Sequence, residues 1–589
     1  MEKYLKLREQ YSKDYYNLNK IYNLISTIRL FVVIIMCFLI YKFLKTDDIN
    51  FILLSILAFT FFIFLLMIHK KITWKRKIKE HLISINNNEI IYLKREGLPF
   101  ENGSEYEDFK HFYSLDLDIF GENSLFQNLN RTATYIGSKK LSELLLTLLK
   151  NNEIESNQKA IKELSIKIEW RQYLLSLAKI IKDKGSYQKL IDWTEAKQEK
   201  ISKPLNVVFH ITPILFIVSV IIILLTNNPF SVYIAFTLFI VNLVLVITQL
   251  GKIRKQIIDS DKISDIIKQY GLIIEKIERE EFDSEKLNLL KKRLIYRSGT
   301  ASQQIKNLSA LFSYLQSIQN GMAAILFNGA ILYHVHALNK LLMWKEKYAK
   351  HVKSWLEIIG EIEALNSIAN FAYNNPAFVF PTLNENYKIV FDDLGHPLIP
   401  SERRICNSIE FNENSFIILT GSNMSGKSTF LRTLGINMIL AGIGSPICSS
   451  KANVHPLNVL VSMRQSDSLS ESESYFFAEV KRLKRIIDKL QSGVCFVLLD
   501  EILKGTNSDD KQTGTVEVIK KIISKNAIGV ISTHDLEICR TTKNYEMVLV
   551  NKCFEVEFIN NELSFDYKLK DGFSKKKSAT FLMKKMEII

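Results

Sequence analysis

The residues whose spacing carries chemistry are Gly421-Ser422-Asn423-Met424-Ser425-Gly426-Lys427-Ser428-Thr429. They follow an apolar run, Phe416 to Leu419, that reads as a buried strand, and they open a helical pattern through Phe430, Leu431, Leu434 and Met438. Two glycines let the backbone curl until its N–H groups face one point, and the positive end of the following helix dipole faces the same point. Such a loop cradles phosphate. Lys427 supplies a mobile charge for the outer phosphates of a nucleotide, and the Ser428 hydroxyl is placed to ligate magnesium. A glycine-rich turn with no ligand is the bland alternative, and the complete lysine-serine ending argues against it.

Two further strand ends fit the same chemistry. Val494 to Leu499 is a second apolar run that ends in Asp500-Glu501, where an aspartate can hold magnesium and a glutamate can polarise an attacking water. A polar loop, Gly505 to Asp510, follows. The third run, Ile528 to Ile531, ends in Ser532-Thr533-His534-Asp535. A lone histidine is usually structural, but the carboxyl ends of parallel strands converge on ligands, so His534 is a candidate sensor of the terminal phosphate. Between the second and third of these features and the loop lies a serine-rich stretch, Ser466 to Ser474, leading into a helical pattern from Phe476 to Leu490 with Val480, Leu483 and Ile487 inward. The start of that helix could receive another phosphate, or a serine could simply cap it.

The rest of the chain must position these groups. At 589 residues there is room for three or four domains, and the net charge of +15 favours anionic partners, either nucleic acid or an acidic membrane surface. The six cysteines show no metal-type pairing and read as core residues of a reducing compartment. Four apolar segments precede the loop: Leu30 to Leu44, Phe51 to Ile68, Val207 to Leu225 and Phe230 to Leu250. They pair into two hairpins, with basic residues following each at Lys70 to Lys79 and Lys252 to Lys255, so both hairpins should dip outward and return to the cytoplasmic side. Burial inside a soluble bundle is the competing reading, and it is strongest for the first pair. The long charged stretch before Leu30 disfavours a secretory signal. The shorter apolar stretch from Met322 to Tyr333, which contains Asn328 and Gly329, reads as a buried helix. The basic cluster Lys291, Lys292, Arg293 and Arg297 reads more readily as a solvated helix face than as a phosphate contact.

Asn423 to Thr429, the Asp500-Glu501-Ile502 turn running into Gly505-Thr506-Asn507-Ser508, and Ser532-Thr533-His534 together resemble the ATPase domain of MutS-type DNA mismatch repair proteins. Gly395-His396-Pro397-Leu398 is similar to the His-Pro entry of that domain, and Leu129 to Thr132 with Gly137, Leu141 and Arg171 looks like the start of its helical core. The expected fold is multidomain: the apolar segments give α-helical membrane hairpins, and the resemblance implies a helical lever and core region followed by a C-terminal α/β P-loop domain of ABC-like type. The expected division is 1–80 for the N-terminal segment and first hairpin, 81–204 for a core-like helical region, 205–251 for the second hairpin, 252–375 for lever-like helices, 376–555 for the ATPase domain and 556–589 for a terminal strand and helix. It further implies ATP and Mg2+ as cofactors and a homodimer in which Ser474 reaches the partner's nucleotide. Ser472 and Glu473 depart from the family's glycine and basic residue there. The terminal helix, Ser578 to Ile589, would pack on the partner or on its own domain.

The region N-terminal to the core is too short and too apolar for the family's mismatch reader. The expectation is therefore an integral protein of the cytoplasmic membrane with a cytoplasmic ATPase, for which the resemblance implies DNA binding in repair or recombination, without mismatch specificity. The competing function is a membrane ATPase with no DNA role, transport-associated or signalling.

Overall fold

A computed structural model describes residues 1–181, 184–197, 200–226, 229–257, 260–296, 299–412, 415–464, 475–504, 506–559 and 562–574. The chain begins with two antiparallel 45-residue helices, α1 (Glu2–Thr46) and α2 (Ile49–Leu93). Asp48 caps α2 by accepting from the Asn50 N–H at 2.9 Å. The apolar halves of this hairpin are exposed, whereas the other halves dock onto the main core through Leu7, Tyr11, Ile78 and Leu82. Lys79 bridges Asp14 at 2.8 Å, and the Tyr4 hydroxyl donates to Asn374 at 2.8 Å. The division expected at residue 80 therefore falls inside one unbroken helix. A helix that starts in an apolar layer need not end where its charges begin, because its polar half here has a protein surface to pack on.

The second hairpin is α3 (Lys203–Thr226) and α4 (Pro229–Ile257). Among the described residues, four helices are long and apolar enough to cross a membrane, namely α1 to α4, and they coincide with the four apolar segments. After the helices Ser260–Glu278 and Glu285–Lys292 come α5 (Ala301–Gln316), the short α6 (Gly321–Ile331) and the 42-residue α7 (Tyr333–Asn374). The axis turns by 81° between α6 and α7, at Leu332, whose backbone is left-handed with φ 50°. Helix α6 is not the buried helix expected from the sequence. Met322 is 78 % exposed, and Ile325, Leu326 and Phe327 are all more than half exposed.

The helical core lies around α7. Its Val352, Trp355, Ile359, Ile362 and Ile368 are buried against helices Tyr135–Leu145 and Asn151–Ile166, which contribute Leu141, Leu145, Ile161 and Leu164. Glu363 is wholly buried here and accepts from the Ala133 N–H at 3.3 Å and from the Thr134 hydroxyl. Arg131, also buried, pairs with Glu89 of α2 and lies 3.5 Å from the Phe100 ring centroid.

Past Pro376 the pattern changes to strands, as the sequence indicates. One sheet has the strands β1 (Phe416–Gly421), β2 (Asn458–Ser462), β3 (Cys495–Asp500), β4 (Ile528–Thr533), β5 (Leu549–Ile559) and β6 (Glu562–Asp571). Its spatial order is β6-β5-β1-β4-β3-β2, parallel throughout except for β6, which runs antiparallel to β5. The central strands β1, β3 and β4 are buried on both faces, which is why they read as uninterrupted apolar runs rather than as alternations. The boundary expected at residue 555 falls inside β5, so the two last strands belong to this sheet and not to a separate terminal piece. A smaller sheet of Thr382–Leu383, Ile389–Leu394, Asn407–Phe411 and Lys451–Val454 lies alongside, joined through the Phe411 and Phe496 rings at 5.4 Å.

Candidate functional site

Register decides which side chains meet. Thr420 of β1 stands opposite Thr533 of β4, and Ser532 of β4 stands opposite Asp500 of β3. The residues that follow these positions, Gly421, Glu501 and His534, therefore emerge at one edge of the sheet, at the carboxyl ends of its parallel strands.

The loop from β1 turns into α8 (Lys427–Gly442). A Cβ at Gly421 would lie 2.6 Å from Ser425 Oγ and 2.9 Å from the Phe554 carbonyl oxygen, and Gly426 sits at φ 97°, so both positions require glycine. Lys427 is 5 % exposed and donates its ammonium to the carbonyls of Gly421 at 2.9 Å and Ser422 at 3.1 Å. Burial lowers its pKa, while Glu501 and Asp500 hold it up. Its Nζ is 3.8 Å from Glu501 Oε1 and 3.4 Å from His534 Nε2.

Ser428 donates to Asp500 Oδ2 at 2.6 Å, and Ser532 donates to the other oxygen of the same carboxylate. Glu501 contacts His534 Nε2 and lies 3.2 Å from Lys504 Nζ. Burial pushes the Glu501 carboxyl up, but the His534 hydrogen bond, the His534 charge and Lys504 together hold it at about 2. The Glu501 backbone is left-handed at φ 52°, a conformation that costs a non-glycine residue free energy and that concentrates at functional sites.

Lys427, Ser428 and Glu501 border a cavity of about 520 Å³, flanked by His396, Arg403, Ile405, Phe554 and Tyr567. His396 is driven down to about 4 by burial and by the nearby Arg432 and Arg404, so its ring is neutral. The Ser422 and Ser425 hydroxyls are buried at the loop without a protein partner. Two adjacent hard oxygen donors, Ser428 and Asp500, suit magnesium, and the loop N–H groups, Lys427 and the unpartnered hydroxyls suit phosphate. The donor set thus fits magnesium together with the phosphates of a nucleotide.

The structure brings together every sequence-derived candidate at this site except Ser474, which lies outside the described residues together with the rest of 465–474. Helix α9 (Tyr475–Lys489) follows that stretch. Its inward residues are Leu483 and Ile486, whereas Val480 is 39 % exposed and Ile487 only half-buried, so the inward face is rotated from the expected one. The buried side of this helix is fixed by Glu479, which accepts from the Leu503 N–H at 2.8 Å and so ties α9 to the turn after Asp500-Glu501.

The sequence reading missed the flanking residues Arg403, Ile405 and Tyr567, which approach from elements with no motif of their own. It also missed the contacts that join the site to the helical region. Arg432, on the second turn of α8, bridges Asp118, which also holds Arg464. Asp116 is 1 % exposed, accepts from the Met463 and Arg464 N–H groups at 2.8 Å each, and pairs with Arg482 of α9.

The family model for MutS domain V matches residues 417–587. The domain formed by residues 417–587 thus belongs to the MutS domain V family. Curated relatives agree over the C-terminal part. The DNA mismatch repair protein MutS of Clostridium botulinum (strain Hall) is 30 % identical over 237 residues, covering 38 % of this chain and 25 % of the relative. That of Methanosarcina barkeri is 27 % identical over 245 residues, covering 39 % of this chain and 27 % of the relative. That of Thermotoga maritima is 28 % identical over 235 residues, covering 38 % and 29 %. The match thus spans about a quarter of the length of these relatives. The MutS domain V match takes in β1, α8, β3, β4 and both terminal strands, and hence every described residue of the phosphate-facing cluster.

Proposed function

We propose that this chain is a membrane-anchored MutS-like ATPase, which binds and hydrolyses Mg-ATP and passes its nucleotide state into the helical region. The observation that carries this reading is the convergence of Lys427, Ser428, Asp500, Glu501 and His534 at one sheet edge within a MutS domain V. Lys427 and the loop N–H groups hold the phosphates, Ser428 and Asp500 hold magnesium, Glu501 orients the attacking water, and His534 senses the terminal phosphate. Magnesium, when bound, neutralises charge on the phosphate oxygens. Lys427 reaches phosphate by exchanging its two carbonyl acceptors for phosphate oxygens. Asp118 and Asp116 couple any shift of α8 and α9 to the helices.

Helices α1 to α4 anchor the protein in the cytoplasmic membrane as two hairpins, with the ATPase on the cytoplasmic side where the basic flanks lie. The working form is a homodimer in which Ser474 completes the partner's site, as the family resemblance implies. The matched relatives are named as DNA mismatch repair proteins, and this chain's net charge of +15 supports a DNA contact directed at backbone or shape.

The test is ATP turnover by the full chain in lipid nanodiscs, with homoduplex, mismatched and branched DNA titrated at two salt concentrations. Turnover that requires Lys427 and Glu501, and that DNA stimulates less at higher salt, supports both parts of the reading. Turnover indifferent to every DNA refutes the DNA role and assigns the ATPase to another membrane task. Turnover undiminished in Glu501→Gln refutes the catalytic assignment.

A further inference from the structure

Helix α6 sits where the second hairpin, the end of α5 and the start of α7 meet. No Asp, Glu, Lys or Arg occurs between Lys306 and Lys340, so the whole tip formed by the end of α5, α6 and the first turns of α7 is uncharged. Its outward face is Met322 at 78 %, Ile325 at 54 %, Leu326 at 59 % and Phe327 at 54 % exposure. In water each such side chain forgoes about 1.5–3 kcal/mol relative to burial, a large sum for one short helix.

The inward face is the opposite in character. Gly329 packs so closely on α4 that a Cβ there would lie 2.2 Å from the Phe239 ring, the kind of small-residue contact by which helices approach each other in lipid. The last carbonyls of a helix have no partner within it, and in an acyl layer no water supplies one. Here Asn242, wholly buried on α4, donates its Nδ2 to the Gly329 carbonyl at 2.8 Å. Asn328 accepts from the His334 N–H at 3.0 Å, closing the bend into α7, and Ser317 meets His334 Nε2 at 3.1 Å. Asn328, His334 and the Gly329 carbonyl are thus turned inward and paired, while Met322, Ile325, Leu326 and Phe327 face out.

Depth follows from α4. Asn242 precedes Leu250, the last residue of the apolar segment, by eight residues. At about 1.5 Å per residue that is about 12 Å inside the cytoplasmic boundary of a hydrocarbon core about 30 Å thick. The Val246, Leu332, Val335 and Phe209 cluster joins α7 to both hairpin helices on the same side.

We propose that α6 is a fifth membrane element, embedded in the cytoplasmic leaflet beside the second hairpin, with Met322, Ile325, Leu326 and Phe327 against lipid acyl chains. This rests on the reading that α3 and α4 span the membrane. The apolar face is the outside of the same helical group as the exposed apolar surfaces of α3 and α4.

The test uses the full chain in liposomes, in a Cys37→Ser, Cys406→Ser background whose remaining cysteines are buried. Leu326→Cys, Ile217→Cys on α3 and Glu155→Cys on the helical core are each labelled with an environment-sensitive fluorophore. Phosphatidylcholine carrying a nitroxide on its acyl chain is the quencher. The expected result is loss of most emission at positions 326 and 217, with position 155 unaffected. Quenching at 217 with position 326 behaving like 155 overturns the placement of α6 and leaves the hairpin standing, as it would if a second protein covered this face. If 217 and 326 both behave like 155, the membrane reading fails and the proposal falls with it.

Discussion

Glu501 is held between Lys427, Lys504 and His534, and its carboxyl stays ionised down to about pH 2. Its charge contributes stability that is fully present above the ordinary carboxylate value of 4.5 and is lost progressively as pH falls from there through about 2. A group with that titration is a base throughout the neutral range, so the acid limb of the rate profile in that range does not come from Glu501. Glu501→Gln is expected to lower turnover about a hundredfold or more while nucleotide binding persists, because the amide keeps the shape and loses the charge. Single-turnover kinetics and nucleotide binding by fluorescence separate the two effects. Lys427→Ala should lose binding as well as turnover, because the buried ammonium has no substitute within the loop.

Two buried carboxylates act at the level of whole elements. Burial raises Glu363 on α7 to about 7 against the opposing hydrogen bonds from Thr134 and Ala133. Its folded pKa lies above its unfolded value of about 4.5, so the folded protein binds the extra proton and stability falls as pH rises from about 4.5 to 7. The loss amounts to about 3 kcal/mol at one pKa unit per 1.36 kcal/mol. Thermal unfolding of Glu363→Gln is expected to lack that slope, whatever its offset from the parent.

Asp116 answers two N–H groups and Arg482 from a loop of the helical region. Asp116→Ala leaves both N–H groups without an acceptor and strips Arg482 of its carboxylate, leaving it the Val461 and Phe112 carbonyls, and should cost about 3 kcal/mol, measured by denaturant unfolding. It should also uncouple α9 from the helices, seen as nucleotide-independent protection of that region in hydrogen exchange. Neither carboxylate announces itself in the sequence, since each partner lies more than two hundred residues away.

At the scale of the molecule, four helices matching the apolar segments predict that the full chain stays with the membrane pellet after alkaline carbonate extraction. Release into the supernatant would remove the anchor from the proposed function. The central sheet was legible for a physical reason: strands buried on both faces must be apolar at every position, and ligand residues then appear as the first polar groups after each run. Asp500-Glu501 follows that rule directly, and Gly421 and His534 come one and two residues after the first polar residues of their runs, Thr420 and Ser532. Helix α6 was misread for the converse reason. An apolar run carrying Asn328 and Gly329 has the composition of a buried helix, and composition does not distinguish protein from another apolar surrounding. The face of α9 was rotated because a short helix between a loop and a strand takes its inward side from its anchor, Glu479, rather than from periodicity alone. The ends of α2 and β5 were set by tertiary packing beyond the points at which the composition changes.

The first hairpin is much longer than a bilayer is thick. From Ile68, the end of its apolar segment, α2 continues without a break to Leu93, about 38 Å at 1.5 Å per residue. Its lower half is stapled to α1 and to the helical core along that whole distance. This makes it a stand-off post of fixed height. With the hairpin in the membrane, the catalytic domain can neither drift into the cytosol nor lie flat on the lipid, and it works within a shallow layer of constant clearance above the surface. Any macromolecule it serves must come to that layer, so where such a molecule is held in the cell becomes as much a determinant of encounter as how tightly it binds.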